Sequence, residues 1–147
     1  MAFQRLTFSV IIQARGVIVM GVWVEYNPNP ASRRVGDCAV RAIAAALDLS
    51  WDEAFDEISQ AAKWMADMPS SDAVWGAVLR KNGFYRTAIP NTCPMCFTAA
   101  DFARGHPRGV YVLGFGGHVA TVKNGEIWDS WDSSNEIPQY YWYRKDD

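Results

Sequence analysis

Apolar positions in this chain change their period once, near Gly83. Before it they recur every three or four residues. Val40, Ile43, Ala44 and Leu47 fall at i, i+3, i+4 and i+7, which predicts a helix over Cys38–Leu47 with one apolar face. Asp37 stands at its N-cap, so Cys38 enters the first turn. Ser50-Trp51-Asp52-Glu53 has the form of a capping box and opens a second helix to about Met65, with Ala54, Phe55, Ile58 and Ala62 facing inward. Ser70 or Ser71 caps a third helix that carries Val74, Trp75, Val78 and Leu79, and Gly83 ends it at C′. Trp51, Trp64 and Trp75 occupy helical positions and read as core.

After Gly83 the apolar residues gather in short runs. Phe84–Ile89 is closed by Pro90, and Thr98-Ala99-Ala100-Asp101 caps a helical turn or two. Strands are expected at Gly109–Phe115, His118–Val122, Glu126–Trp131 and Tyr140–Tyr143. Asn124-Gly125 between two apolar runs is a strong hairpin signal. Helices first and an antiparallel sheet afterwards give an α+β fold. Residues 1–24 stand apart: Leu6–Ile12 and Gly16–Trp23 suit two short strands, or Met20 is the start and the first 19 residues are a translated leader. Neither run has the form of a signal peptide. Asn27-Pro28-Asn29-Pro30 is the boundary, and residues 25–147 form the domain.

Composition narrows the function classes. Fourteen basic against 16 acidic residues give a net charge of −2, which excludes a basic nucleic-acid stripe. Seven Trp, six Tyr and seven Phe are too heavy an aromatic load for a disordered chain. No apolar run is long enough to span a membrane. Three cysteines, Cys38, Cys93 and Cys96, are too few for a disulfide framework, so reduced thiols in a cytoplasm are expected.

One group of residues carries chemistry. A thiol at a helix N-terminus is favoured as thiolate by the unpaired N–H groups there, and this is the place of Cys38. A nucleophilic thiol also needs a base and a group to orient that base. His118, one of two histidines, opens a strand just after Gly116-Gly117. If Asn124-Gly125 is a two-residue turn, Lys123 pairs with Glu126, and counting back along both strands puts Asp129 opposite Ala120. His118 and Asp129 then share a face as diagonal neighbours. Asp132 falls on the other face unless a bulge intervenes, which makes it the alternative acid.

A Cys at a helix start followed by a His and an Asp on one later hairpin resembles the chain order of papain-like cysteine peptidases, in particular the bacteriocin-leader-processing branch. More narrowly, the chain resembles a group of short phage and prophage proteins. The resemblance lies in Asn27-Pro28, Gly36-Asp37-Cys38, Arg41-Ala42, Asp67-Met68-Pro69-Ser70, Thr92-Cys93-Pro94-Met95-Cys96, Gly117-His118-Val119 and Asp129-Ser130-Trp131-Asp132. It implies a papain-like fold and a thiol hydrolase cleaving a peptide or isopeptide bond in a protein or peptide substrate. It implies no cofactor, and the cytoplasm of a bacterial host if the protein is phage-encoded. Papain-like enzymes place a Gln just before the Cys to bind the oxyanion, and no Gln lies between Gln13 and Gln60 here. Asn27 or Asn29 is the substitute donor.

Two other readings compete. A non-catalytic interaction module on the same fold would use the aromatic surface to bind a host protein. A small zinc-binding domain would use Cys93 and Cys96, with His106 as the remaining ligand, although one CxxC with one distant His is short of the usual four. The plainer reading of Cys93 and Cys96 is a turn whose thiols pack locally. Trp128 and Trp131, on either side of Asp129, suit a cleft wall or a core equally.

Overall fold

The computed structural model describes residues 12–14, 17–19 and 21–144. Within them the fold is α+β: helices α1 (Cys38–Leu47), α2 (Trp51–Met65), α3 (Asp72–Lys81) and α4 (Ala99–Gly105) pack on a six-stranded sheet. The sheet is formed by β3 (Trp23–Glu25), β4 (Phe84–Ala88), β5 (Val110–Phe115), β6 (His118–Lys123), β7 (Glu126–Asp129) and β8 (Tyr140–Arg144), in the order β3-β7-β6-β5-β8-β4. Apart from this sheet, β1 (Ile12–Ala14) pairs antiparallel with β2 (Val17–Val19); residues 1–11, 15, 16 and 20 of the expected leader or strands lie outside the described residues. Among the described residues no helix is long and apolar enough to cross a membrane.

The sheet is mixed rather than antiparallel, which corrects the sequence expectation. β3 runs parallel to β7, with Trp23 against Ile127 and Glu25 against Asp129. A parallel pair needs a long crossover, and the helices between β3 and β7 provide it. β3 also straddles the boundary drawn at residue 24, so the segment before the Asn-Pro loop contributes a sheet edge.

Helix signals translate closely into structure. Ser50 and Glu53 complete a reciprocal capping box at α2, and Thr98 and Asp101 complete another at α4. Ala54, Ile58 and Ala62 bury one stripe of α2. Phe55 is instead 42% exposed, stacked on Trp51, and Trp64 is 89% exposed; only Trp75 of the three helical tryptophans is fully in the core. The reason is angular. Ala54, Ile58 and Ala62 step by four residues, whereas Trp64 lies six beyond Ile58, about 240° round the helix.

Each sheet face has its own core. On one side α1, α2 and α3 cover Phe84, Val112, Val119, Tyr140 and Trp142; on the other α4 covers Leu113, Phe115, Ala120, Val122 and Ile127. Strand β5 is therefore buried on both faces, which explains its continuous apolar run. The β6–β7 hairpin turns at Asn124 (φ 50°) and Gly125 (φ 78°), two left-handed residues as a type I′ turn requires. That turn fixes the register: Lys123 opposes Glu126, Val122 opposes Ile127 and Thr121 opposes Trp128.

Candidate active site

Helix α1 lies along β6 with its N-terminus at the start of the strand. The Val119 backbone N–H donates to the Cys38 sulfur, the Thr121 hydroxyl donates to the Ala42 carbonyl (2.7 Å), and the Lys123 ammonium donates to the Ala45 carbonyl (3.1 Å). The spacing is commensurate. Three or four helical residues rise ~4.5–6 Å and two strand residues ~6.6 Å, so contacts at Cys38, Ala42 and Ala45 keep step with Val119, Thr121 and Lys123. The small side chains Ala39, Ala42, Ala45 and Ala46 let the helix sit this close. The result is that Cys38, in the first turn of α1, meets His118, the first residue of β6.

His118 lies between two partners. Its Nε2 is 2.6 Å from Asp129 Oδ2, so its hydrogen bond to the Cys38 thiol falls to Nδ1. The Gly116-Gly117 turn that delivers it has Gly117 at φ 78°, a conformation that a side chain would strain. Phe115 stacks at 5.8 Å and Trp131 lies at 4.8 Å from the imidazole, ring centre to ring centre, which screens the His118–Asp129 bond from water.

Asp129, the last residue of β7, is 1% exposed and fully engaged. Oδ2 accepts from the Ser133 hydroxyl (2.7 Å) as well as facing His118; Oδ1 accepts from the Ser130 N–H (2.8 Å) and from Arg41 Nη2 (3.3 Å). Arg41 in turn is buried and donates through Nη1 to Asp37, whose other oxygen accepts from Trp51 Nε1 (2.9 Å). A chain of hydrogen bonds thus runs from Cys38 through His118, Asp129 and Arg41 to Asp37 and Trp51.

This environment sets the protonation states. Burial works against the Cys38 thiolate, but the His118 hydrogen bond, the Val119 N–H and the positive charges of His118 and Arg41 outweigh it and hold the thiol below its ordinary value. Burial likewise opposes the imidazolium, yet Asp129 and Cys38 raise His118 to about 9. Asp129 stays below the usual carboxylate range, since His118, Ser133 and the Ser130 N–H overcome the cost of its burial. All three shifts favour the charged forms: thiolate, imidazolium and carboxylate.

Several expectations change here. Asp37 occupies the N-cap of α1 but makes no side-chain cap bond, because Arg41 and Trp51 capture its carboxylate. The first N–H groups of α1 therefore receive no oxygen from it. Asn27 and Asn29, the oxyanion candidates, are used by their own loop: Asn27 Nδ2 donates to the Arg33 carbonyl (3.2 Å), and Asn29 Oδ1 accepts from the Ala31 and Arg33 N–H groups. Asp132, the alternative acid, is exposed and bonds Ser134, since β7 has ended at Asp129. Cys93 and Cys96 are joined in a disulfide rather than reduced, their Cα atoms 4.2 Å apart in a loop folded by hydrogen bonds to Asn91 and Thr92. His106 is not gathered with them; its ring stacks on Phe102 at 3.8 Å, and Nδ1 is 2.7 Å from the Phe102 carbonyl. Among the described residues no three His, Cys, Asp or Glu side chains cluster as a metal site.

The sequence reading missed Arg41, Ser133 and the Asp37–Trp51 bond. One signal was present: Asp37 and Arg41 stand four apart, the spacing of a helical ion pair, with the Arg among apolar neighbours. No family model, no curated protein and no solved structure matches the chain.

Proposed function

We propose that the protein is a thiol enzyme of papain-like type, acting on an acyl carbon through Cys38, His118 and Asp129. The observation that carries the reading is the hydrogen-bonded series Cys38–His118–Asp129, in which the thiol is lowered and the imidazole raised. Cys38 Sγ attacks a carbonyl carbon, and His118 gives its proton to the leaving amine. Water, deprotonated by His118, or an acceptor amine then releases the acyl group. Asp129 keeps Nε2 of His118 bonded and the ring oriented, as the third member of such a triad does. The Cys38 N–H, in the first turn of α1, is one donor for the oxyanion. The resemblance to papain-like peptidases makes a peptide or isopeptide bond the expected target and a protein or peptide the substrate. The resemblance to phage and prophage proteins makes the cytoplasm of a bacterial host the expected location if the protein is phage-encoded.

The test is iodoacetamide at about pH 6, where ordinary thiols react slowly, followed by mapping of the adduct. Labelling of Cys38 in the native protein, lost in His118→Ala, is the expected result. Slow labelling indifferent to His118 would remove the proposal and leave a binding module on this fold.

A further inference from the structure

A second concave region lies behind the acid side of the site. It is a cavity of about 630 Å³ between the C-terminal half of α1, the loop that follows β3 and the start of α2. That volume falls within the range of small-molecule sites, roughly 300–1,000 Å³. Ala44 and Ala45 leave room on the helix side, and Tyr26, Trp51 and Trp128 supply three aromatic walls. Tyr26 and Trp128 meet edge to face at 5.3 Å, a corner that a third ring can complete.

Each charge on its walls has a partner, one of which, Arg34, stands outside the lining. Glu25 is bound by Arg34 at 2.9 Å, and Asp48 is bound by Lys123. Walls whose charges are already paired favour a neutral guest over an ion, because an ion would lose its hydration without a free counter-charge. One polar group still reaches in. The Lys123 ammonium gives N–H bonds to the Ala45 carbonyl and to Asp48 and lies 5.4 Å from the centre of the Trp128 ring, so a carbonyl on a guest stacked there would meet its third N–H.

The cavity also shares walls with the thiol site. Trp51 Nε1 holds Asp37, the Tyr26 N–H donates to the Asp129 carbonyl (2.8 Å), and Glu25 lies opposite Asp129 in the β3–β7 register. A guest that shifts Trp51 or Tyr26 therefore acts on the groups that hold Arg41 and Asp129.

We propose that this cavity binds a small neutral aromatic molecule, its planar ring among Tyr26, Trp51 and Trp128 and a carbonyl acceptor on Lys123, and that its occupancy alters the reactivity of Cys38. The binding half stands on the cavity alone; the second half rests on the thiol reading above.

The probe is indole-3-acetamide, added to the full chain and followed through the tryptophan indole N–H signals by NMR. Cyclohexylacetamide serves as the non-planar control. Saturable shifts of Trp51 and Trp128 are expected, with affinity about tenfold weaker in Lys123→Met, the worth of roughly one hydrogen bond. The Cys38 alkylation rate is expected to change at saturating probe. Absence of saturable shifts, equal binding of cyclohexylacetamide, or unaltered affinity in a folded Lys123→Met protein would overturn the site. Saturable shifts with an unchanged alkylation rate would overturn its link to the thiol. Failure of Cys38 to alkylate in the probe-free protein would sink the thiol reading by itself and leave the indole shifts in place.

Discussion

The chain has two histidines, and they show how far surroundings, not residue type, decide what an imidazole does. His118 stands at a strand start between a carboxylate and a thiol, and both neighbours favour its charged form. His106 stands at the end of α4, stacked on Phe102 and edge-on to Tyr111 at 4.8 Å, with Nδ1 at a backbone carbonyl. The first arrangement places the ring between a carboxylate and a thiol that both stabilise its charge. The second satisfies one polar atom and otherwise treats the ring as a flat hydrophobe.

The comparison can be broken most forcefully at His118. His118→Ala is expected to slow alkylation of Cys38 at about pH 6 by about a hundredfold, because the thiolate loses its cationic partner. Asp129→Asn comes next. It leaves Arg41 and His118 without their shared anion, so a stability loss of about 3 kcal/mol is expected in urea unfolding, with the Cys38 rate about tenfold lower. Arg41→Met should cost stability on a similar scale, since Asp37 and Asp129 stay buried without it. Its effect on the Cys38 rate should be smaller, a few-fold, because Arg41 acts through Asp129 and touches no reacting atom. The smallest effect is expected at His106. His106→Ala should lower stability by about 1 kcal/mol through lost ring packing and leave Cys38 alkylation unchanged. A slowed thiol in that variant would erase the distinction between the two rings.

The contrast should also appear as a dependence on pH. Asp129 and Cys38 raise His118 from 6.5 to about 9, so its contribution to stability is complete below about 6.5 and fades as pH climbs through 9. Asp129 has a depressed value, so its contribution is complete above 3.8 and is lost as pH falls through the lowered range. The stability difference between native protein and His118→Ala is thus expected to be largest and flat between these limits and to shrink on the alkaline side. Urea midpoints measured across that range check it.

What the sequence disclosed follows the strength of its local signals. The Asn124-Gly125 turn pins the register, and the register alone puts His118 and Asp129 on one face. Cys38 is placed by the period of α1. The sequence did not disclose β3, because three residues pairing in parallel with a strand about a hundred positions later leave no periodic trace. Trp64 was misjudged because hydrophobicity was counted without its angle on α2. Asn27 and Asn29 show what the sequence could not rank: short polar side chains in a Pro-rich turn also bond their own backbone, here through Asn27 Nδ2 and Asn29 Oδ1. Cys93 and Cys96 read as reduced thiols by count, whereas their pairing depends on the local path of the loop.

The reactivity proposed for Cys38 requires a thiolate at a pH below that of an ordinary cysteine. Its most direct test is the rate of Cys38 alkylation as a function of pH, with the Cys93–Cys96 disulfide left intact. The expected rate has already risen to a plateau in mildly acidic to neutral solution, and in His118→Ala the rise moves toward that of a free thiol. A single rise near the ordinary thiol value of about 8.5, identical in both proteins, would contradict it.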